Sequence, residues 1–288
     1  MPRRRAVQTI QGLKRRIASA EGLGTIISSQ KTLSAAALGH YEKARESMAR
    51  YVSSVELGIC AALDGAEMPV APATGGGRTA TIIIGSDLGL VGRFNRSLAE
   101  AAAKGRAKTS TITAVGRNMA AKLAAIGLAP AREIPSPASP RGISAAAARI
   151  MEEVAERGGE VEVFHNARAA GGLKVEHLKL FPITPARIEA IARRPWPTKR
   201  IPMIAGERAT TLDKLLVQML WAGVYSALAG SLAAEHYQRL LTMQNAEKNI
   251  DERLAEMRRE YAVRRQAEIT EEMLDAVNGA EALGQSGQ

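Results

Sequence analysis

With 288 residues, 46% of them hydrophobic but only 3% aromatic, the chain can bury a sizeable core in one or two domains while offering few stacking platforms for single-stranded nucleic acid. A single cysteine, Cys60, excludes an internal disulfide and a thiolate zinc site and suits a reducing compartment; with no apolar segment behind "MPRRR" and no run of about 18 apolar residues, neither a secretory signal nor a bilayer-spanning helix is expected. The net charge of +10 leaves three kinds of partner open, nucleic acid, an anionic membrane surface or an acidic protein, and no nucleic-acid-binding motif is present to favour the first.

Proline divides the chain. After Pro2 there is none until Pro69, and after Pro202 none to the end. Proline breaks helix interiors, so both flanks are free to form long helices. From Arg3 to about Ala62 one heptad row reads Leu13, Ala20, Ile27, Ser34, Tyr41, Met48, Val55; its companion reads Ile10, Ile17, Gly24, Lys31, Leu38, Arg45, Val52. The second row is interrupted at Gly24, Lys31 and Arg45, which predicts a coiled coil with a broken seam. A helix over this span is roughly 90 Å long.

"MPVAPATGGGR" (Met68–Arg78) is a linker by composition. Strand-like and helix-like runs then alternate. Thr79–Gly85, Thr109–Gly116 and a weak Ala131–Ile134 read as strands, with helices at Arg93–Gly105, Asn118–Gly127 and Gly142–Gly159 between and after them. "EVEVFHNA" and "LKVEHLKLFPI" close the unit as two further strands. The order βαβαβαββ predicts a small, open, Rossmann-like α/β sheet.

The second flank starts at a capping box, Thr210 with Asp213. An apolar stripe follows from Leu212 through Leu215, Met219 and Ala222, with small residues at Ser226, Ala229 and Ala233 that let a neighbour approach. Leu240, Met243, Ile250, Leu254, Met257 and Tyr261 continue it; Ile269, Met273 and Val277 end it, and Gly279 is the expected stop. The fold class is therefore a long antiparallel coiled coil of N- and C-terminal helices plus a Rossmann-like open α/β domain. The expected domains are residues 1–66, 67–205 and 206–288.

Chemistry is sparse. "GSDLGLVGRFN" (Gly85–Asn95) lies between a strand and a helix, where a phosphate cradle would sit. The spacing of Gly85, Gly89 and Gly92 is not that of a dinucleotide fingerprint, and the second strand ends in "VGRN" with no acid for a ribose, although an arginine there would suit a 2′-phosphate. His40, His165, His177 and His236 lack metal-ligand spacing, and nucleophile motifs are absent. No catalytic residue, cofactor or metal is expected. An NADP- or nucleotide-binding enzyme and a basic coiled-coil nucleic-acid-binding protein remain open beside a partner-gripped helical rod.

Three stretches resemble the gamma subunit of F-type ATP synthases. Ser231–Leu283 matches the family pattern at Glu235, Arg239, Met243, Asn249, Tyr261, Arg265, Gln266, Ile269, Thr270, Glu272 and Gly279. "SDLGLVGRFN" is similar to the family's "SDRGLCGGFN", and "LKRRIASAEGLGTI" to the start of its first helix. Departures mark a divergent branch: Leu88 stands for the usual arginine, Val91 for cysteine, Arg93 for glycine and Ala262 for asparagine. "ISSQKTLSAAAL" (Ile27–Leu38) replaces a Lys- and Met-rich stretch. The resemblance implies a non-catalytic rotor shaft inside a ring of alpha and beta subunits. It implies that Arg265 and Gln266 meet a beta-subunit loop, and that Asn278, Gly279, Ala280, Glu281, Ala282 and Leu283 form the tip in the ring's bearing. The epsilon subunit and the membrane c-ring are the other implied partners, with no nucleic acid. Membrane contact is expected only through the complex, at the cytoplasmic face of a bacterial inner membrane.

Overall fold

The computed structural model describes residues 9–63, 79–106, 110–157, 159–200 and 202–285, the side chains of 157 and 279–285 excepted. The linker at Met68–Arg78 and the residues before Thr9 lie outside these ranges. The elements are α1 (Ile10–Leu63), β1 (Ala80–Ile84), α2 (Phe94–Gly105), β2 (Thr111–Val115), α3 (Arg117–Ala124), β3 (Arg132–Ile134), α4 (Pro140–Arg157), β4 (Val161–Ala169), β5 (Gly172–Phe181), α5 (Pro185–Ala192) and α6 (Arg208–Gln285). Contacts group the chain into two units, Met1–Leu33 with Leu241–Gln288, and Ser34–Leu240. Their limits fall inside α1 and α6, whereas the expected boundaries at 66/67 and 205/206 lie near the ends of those helices.

The first unit is a two-helix seam. Leu13, Leu254 and Met257 are buried, with Ile17, Ala20, Ile250 and Tyr261 packed around them. Glu21 pairs with Arg258 at 2.6 Å and Lys31 with Glu247 at 2.6 Å, so the helices run antiparallel. Two of the apparent breaks in the heptad are fitted contacts. Gly24 lies against Ile250, where a Cβ would sit at 3.6 Å, an ordinary contact distance, so its place in the row faces the partner helix. Lys31 lays its stem in the seam and carries its charge to Glu247.

In the second unit the five-stranded sheet has the order β3-β2-β1-β4-β5, parallel except for β5, which pairs antiparallel with β4. β1 is buried along its whole length, as its unbroken apolar run requires for a central strand covered on both faces. Ile82 and Ile84 face one core with Ile143 and Ile150 of α4, Tyr41 of α1 and Val224, Leu228 and Leu232 of α6. Ile83 faces the other, with Leu98 of α2 and Met119 and Leu123 of α3. The small residues Ala229 and Ala233 are fully buried and let α6 lie close to the sheet. The heptad row continues here too: Ser34, Tyr41, Met48 and Val55 are all buried.

Two expectations need correction, and two further features of the helices were not anticipated. α6 starts at Arg208, two residues before the expected cap: the Glu207 carbonyl accepts the helical bond from the Thr211 amide (3.1 Å), and its carboxylate accepts from the Thr210 hydroxyl (2.9 Å). Thr210 is thereby drawn inside the helix, and the Thr210–Asp213 box does not form. Gly279 does not stop the helix, which runs on to Gln285 because the residues beyond it (Ala280, Glu281, Ala282, Leu283) are strong helix formers. α6 is also long and apolar enough over 18 residues to cross a bilayer, because alanine counts as apolar; in this fold Ala222, Val224, Ala227 and Leu228 are spent on the core. Finally, α5 was not anticipated. Thr184 caps it by accepting from the Arg187 amide (3.3 Å), with Pro185 at its first turn, and it buries Ile188 and Ile191 against Val55, Ile59 and Leu212.

Candidate functional site

The glycine-rich loop after β1 is tied together by its own side chains. Ser86 Oγ accepts from Asn95 Nδ2 (2.8 Å), and Asn95 Oδ1 accepts from the Ser86 amide (3.1 Å). The Asp87 carboxylate accepts from the Arg117 amide at the start of α3 (2.7 Å) and from the Ser136 amide (3.1 Å). It therefore sits where an incoming phosphate would sit at that helix terminus. Gly116 has φ +100, and a Cβ there would lie 2.7 Å from the Ser86 carbonyl. Glycine is needed at that crossing for chain packing. The "SD…FN" motif is thus a clamp that fixes β1, α2 and α3, with the Arg117 backbone amide at the start of α3 committed to Asp87.

Beside this clamp, α6 carries a buried polar cluster that residue patterns alone do not assign. Arg239 Nη2 donates to Glu235 Oε1 at 2.6 Å, both side chains only 6% exposed. Tyr41 stacks on His236, with centroids 5.3 Å apart, and His236 Nδ1 lies 3.4 Å from Arg239 Nη1. Burial raises the Glu235 carboxyl pKa while Arg239 opposes it; burial, with Glu235 nearby, pushes Tyr41 up to about 12. Burial and then Arg239 push His236 down to about 4. His165, also buried, moves in the same direction for the first of those reasons. A histidine whose pKa falls on folding costs nothing above about pH 6.5 and destabilises increasingly as pH drops toward its folded value. Because His236 is partly exposed, its share is on the order of 1–2 kcal/mol at pH 4. Thermal melts of wild type and His236→Gln should therefore diverge below pH 6.5, the wild type falling faster. Parallel curves would remove His236 from the acid response.

The four histidines are scattered: His40 is exposed, His165 buried, His177 within 2.8 Å of Glu162, and His236 in the cluster above. Among the described residues no group of three or more His, Cys, Asp or Glu is placed to hold a metal ion.

Past the seam, α6 stands alone. Every side chain from Arg265 to Asn278 is exposed, including Ile269 (53%), Met273 (61%), Leu274 (55%) and Val277 (50%). The expected stripe thus continues in sequence but nothing in the unit covers it. Arg265 and Gln266 lie at the start of this stretch, next to the Arg264–Glu260 pair (2.8 Å). Of the six tip residues, Asn278 is exposed, and the side chains of Gly279, Ala280, Glu281, Ala282 and Leu283 lie outside the described set. A bare helix carrying an uncovered stripe of large apolar side chains is a surface for other polypeptides.

Known proteins share this arrangement. The family described as ATP synthase matches residues 9–283. An "ATP synthase gamma chain" of Geobacter metallireducens is 26% identical, and one of Acidiphilium cryptum 28%, each over 96% of this chain and 99% of its own. That of Salinibacter ruber is 44% identical over 27% of this chain and 25% of its own. Among solved structures, the rotor of the Euglena gracilis mitochondrial ATP synthase superposes with a TM-score of 0.60 at 14% identity, over 90% of this chain and 98% of its own. A chain from that enzyme's OSCP/F1/c-ring structure gives 0.62 at 14% identity, over 95% and 94%.

Proposed function

This chain belongs to the gamma-chain family of ATP synthases and is the central-stalk rotor subunit of such a complex, and from that premise we propose how its surfaces are used. The exposed end of α6 turns inside the ring of alpha and beta subunits. Arg265 and Gln266 touch a loop of a beta subunit, and residues 278–283 form the tip in the bearing. The epsilon subunit and the c-ring hold the sheet-bearing unit at the cytoplasmic face of a bacterial inner membrane. The chain itself makes and breaks no covalent bonds. The observation that carries this reading is the exposed stretch from Arg265 to Asn278, whose stripe of large apolar side chains has no cover in its own unit.

A shaft that meets three equivalent sites in turn cannot bind one of them tightly. Each 1.4 kcal/mol of preference for one orientation changes its population about tenfold. Exposed ion pairs contribute roughly 0.2–1 kcal/mol, weak enough to form and release at each step. Torque then passes through shape, and rotor angle selects among open and closed states of the surrounding subunits. Arg265→Ala and Gln266→Ala should each change dwell times by up to about fivefold in single-molecule rotation, with the thermal melt unchanged. Rotation indifferent to both substitutions removes these two residues from the contact.

A further inference from the structure

The two helices of the seam unit differ in helix-forming strength where they face each other. Over residues 243–269, α6 holds no glycine, serine, threonine or proline. The facing stretch of α1, residues 21–33, holds Gly22, Gly24, Thr25, Ser28, Ser29 and Thr32. Neither glycine is required by packing. A Cβ on Gly22 would meet nothing within 4 Å, and one on Gly24 would make an ordinary 3.6 Å contact with Ile250. Each therefore weakens the helix relative to alanine, through the greater freedom of the unfolded chain, without gaining a close approach. Three hydroxyls act in the same direction. Thr25 Oγ1 donates to the Glu21 carbonyl (3.2 Å), Ser29 Oγ to the Thr25 carbonyl (2.9 Å) and Thr32 Oγ1 to the Ser28 carbonyl (3.1 Å). Such bonds compete with the helical amide for one carbonyl and favour bending. The apolar core of the seam does not extend here: it draws on α1 through Leu13, Ile17 and Ala20. An ion pair stands near each end of the stretch instead, Glu21–Arg258 and Lys31–Glu247, both at 2.6 Å and both partly open to water.

We propose that residues 21–33 of α1 form a compliant joint in the shaft: α1 bends and reversibly loses helical turns there, while α6 stays continuous beside it. Its use as a torsional spring rests on the rotor reading; the local weakness of α1 does not. Two strong helices would make a rigid rod, and two weak ones would break together. A weak helix laid against a strong one yields over a limited angle and returns, because the ion pairs at its two ends restore the register. Opening the stretch also uncovers little apolar surface within the chain, since Leu23, Ile26 and Leu33 are already 55%, 61% and 62% exposed. The barrier to opening is thus set by backbone hydrogen bonds, which the glycines and hydroxyls weaken, and not by a buried core.

Amide hydrogen exchange of the full chain reads this opening directly. Amides of residues 22–33 should exchange about tenfold or more faster than those of the facing residues 243–258. Glycine to alanine inside a helix shifts the opening equilibrium about fivefold, so Gly22→Ala with Gly24→Ala should slow the stretch roughly twentyfold. Ser29→Ala with Thr32→Ala removes two of the hydroxyl bonds and should slow it as well. Gly39→Ala, whose Cβ also meets nothing within 4 Å, is the control and should leave the stretch unchanged. In the assembled complex, the thermal spread of rotor angle at a stalled position should narrow in the double-glycine variant, with ATP hydrolysis unchanged. The proposal is overturned by any of three results: exchange in residues 22–33 as slow as in residues 243–258, exchange that the two alanines do not slow, or an angular spread that stays at the wild-type width once they do. Failure of the chain to assemble with alpha and beta subunits is a different result: it removes the rotor reading, and the spring role with it, whatever the exchange rates.

Discussion

Replacing Arg239 by alanine is expected to destabilise the sheet-bearing unit by about 3–5 kcal/mol, because it leaves the Glu235 carboxylate buried with no counter-charge. Both side chains are 6% exposed and bonded at 2.6 Å, so neither can turn to water without opening the packing around Tyr41 and His236. Burial already raises the Glu235 pKa against the pull of Arg239, and Asp87 adds to the rise. Without the guanidinium the carboxyl rises further, so the variant's stability falls as rising pH ionises that carboxyl. The double change Glu235→Leu with Arg239→Met removes both charges and fills the volume with apolar atoms, so it should recover most of the loss. Urea unfolding of wild type, single and double variants measures this directly. A single variant within 1 kcal/mol of wild type would mean that water reaches the pair.

The legible part of the chain was what depends on period and on proline. The two proline-free flanks, the heptad row from Leu13 to Val55 and the βαβ alternation all express local geometry, and the structure keeps them. The parts that were not legible depend on a partner distant in sequence. Lys31 and Gly24 look like flaws until Glu247 and Ile250 stand opposite them. The glycine-rich loop invites a ligand until Asp87 is seen to cap α3 from another element. Glu235 and Arg239 were recognisable as members of a motif, but four residues apart on a helix they read as an ordinary surface pair, and only burial gives them weight. The helix α5 did have a local signature, Thr184 followed by Pro185, which was masked by its brevity and by the apolar strand before it.

Leu254→Pro should release the two-helix unit while leaving the sheet-bearing unit folded. Proline in a helix interior removes the hydrogen bond to the carbonyl four residues back, that of Ile250, and its ring clashes there, at about 3 kcal/mol or more. The same change deletes a buried side chain, 8% exposed, from a cluster that holds only Leu13, Leu254 and Met257 at its centre, with Ile17, Ala20, Ile250 and Tyr261 around them. Burying a leucine contributes roughly 1.5–3 kcal/mol, so a seam this small cannot absorb both losses. Three substitutions separate the causes. Leu254→Ala keeps the backbone and loses the packing, at about 2 kcal/mol. Glu252→Pro, at an exposed position two residues away, keeps the packing and breaks the backbone. Leu254→Pro does both and should show the largest drop in helical circular dichroism, together with new protease cuts confined to the stretches before Leu33 and after Leu241. In the assembled complex ATP hydrolysis should continue without driving rotation, because a broken helix bends where a continuous one pushes. Coupled turnover at the wild-type level in Leu254→Pro would show that force does not travel along this seam.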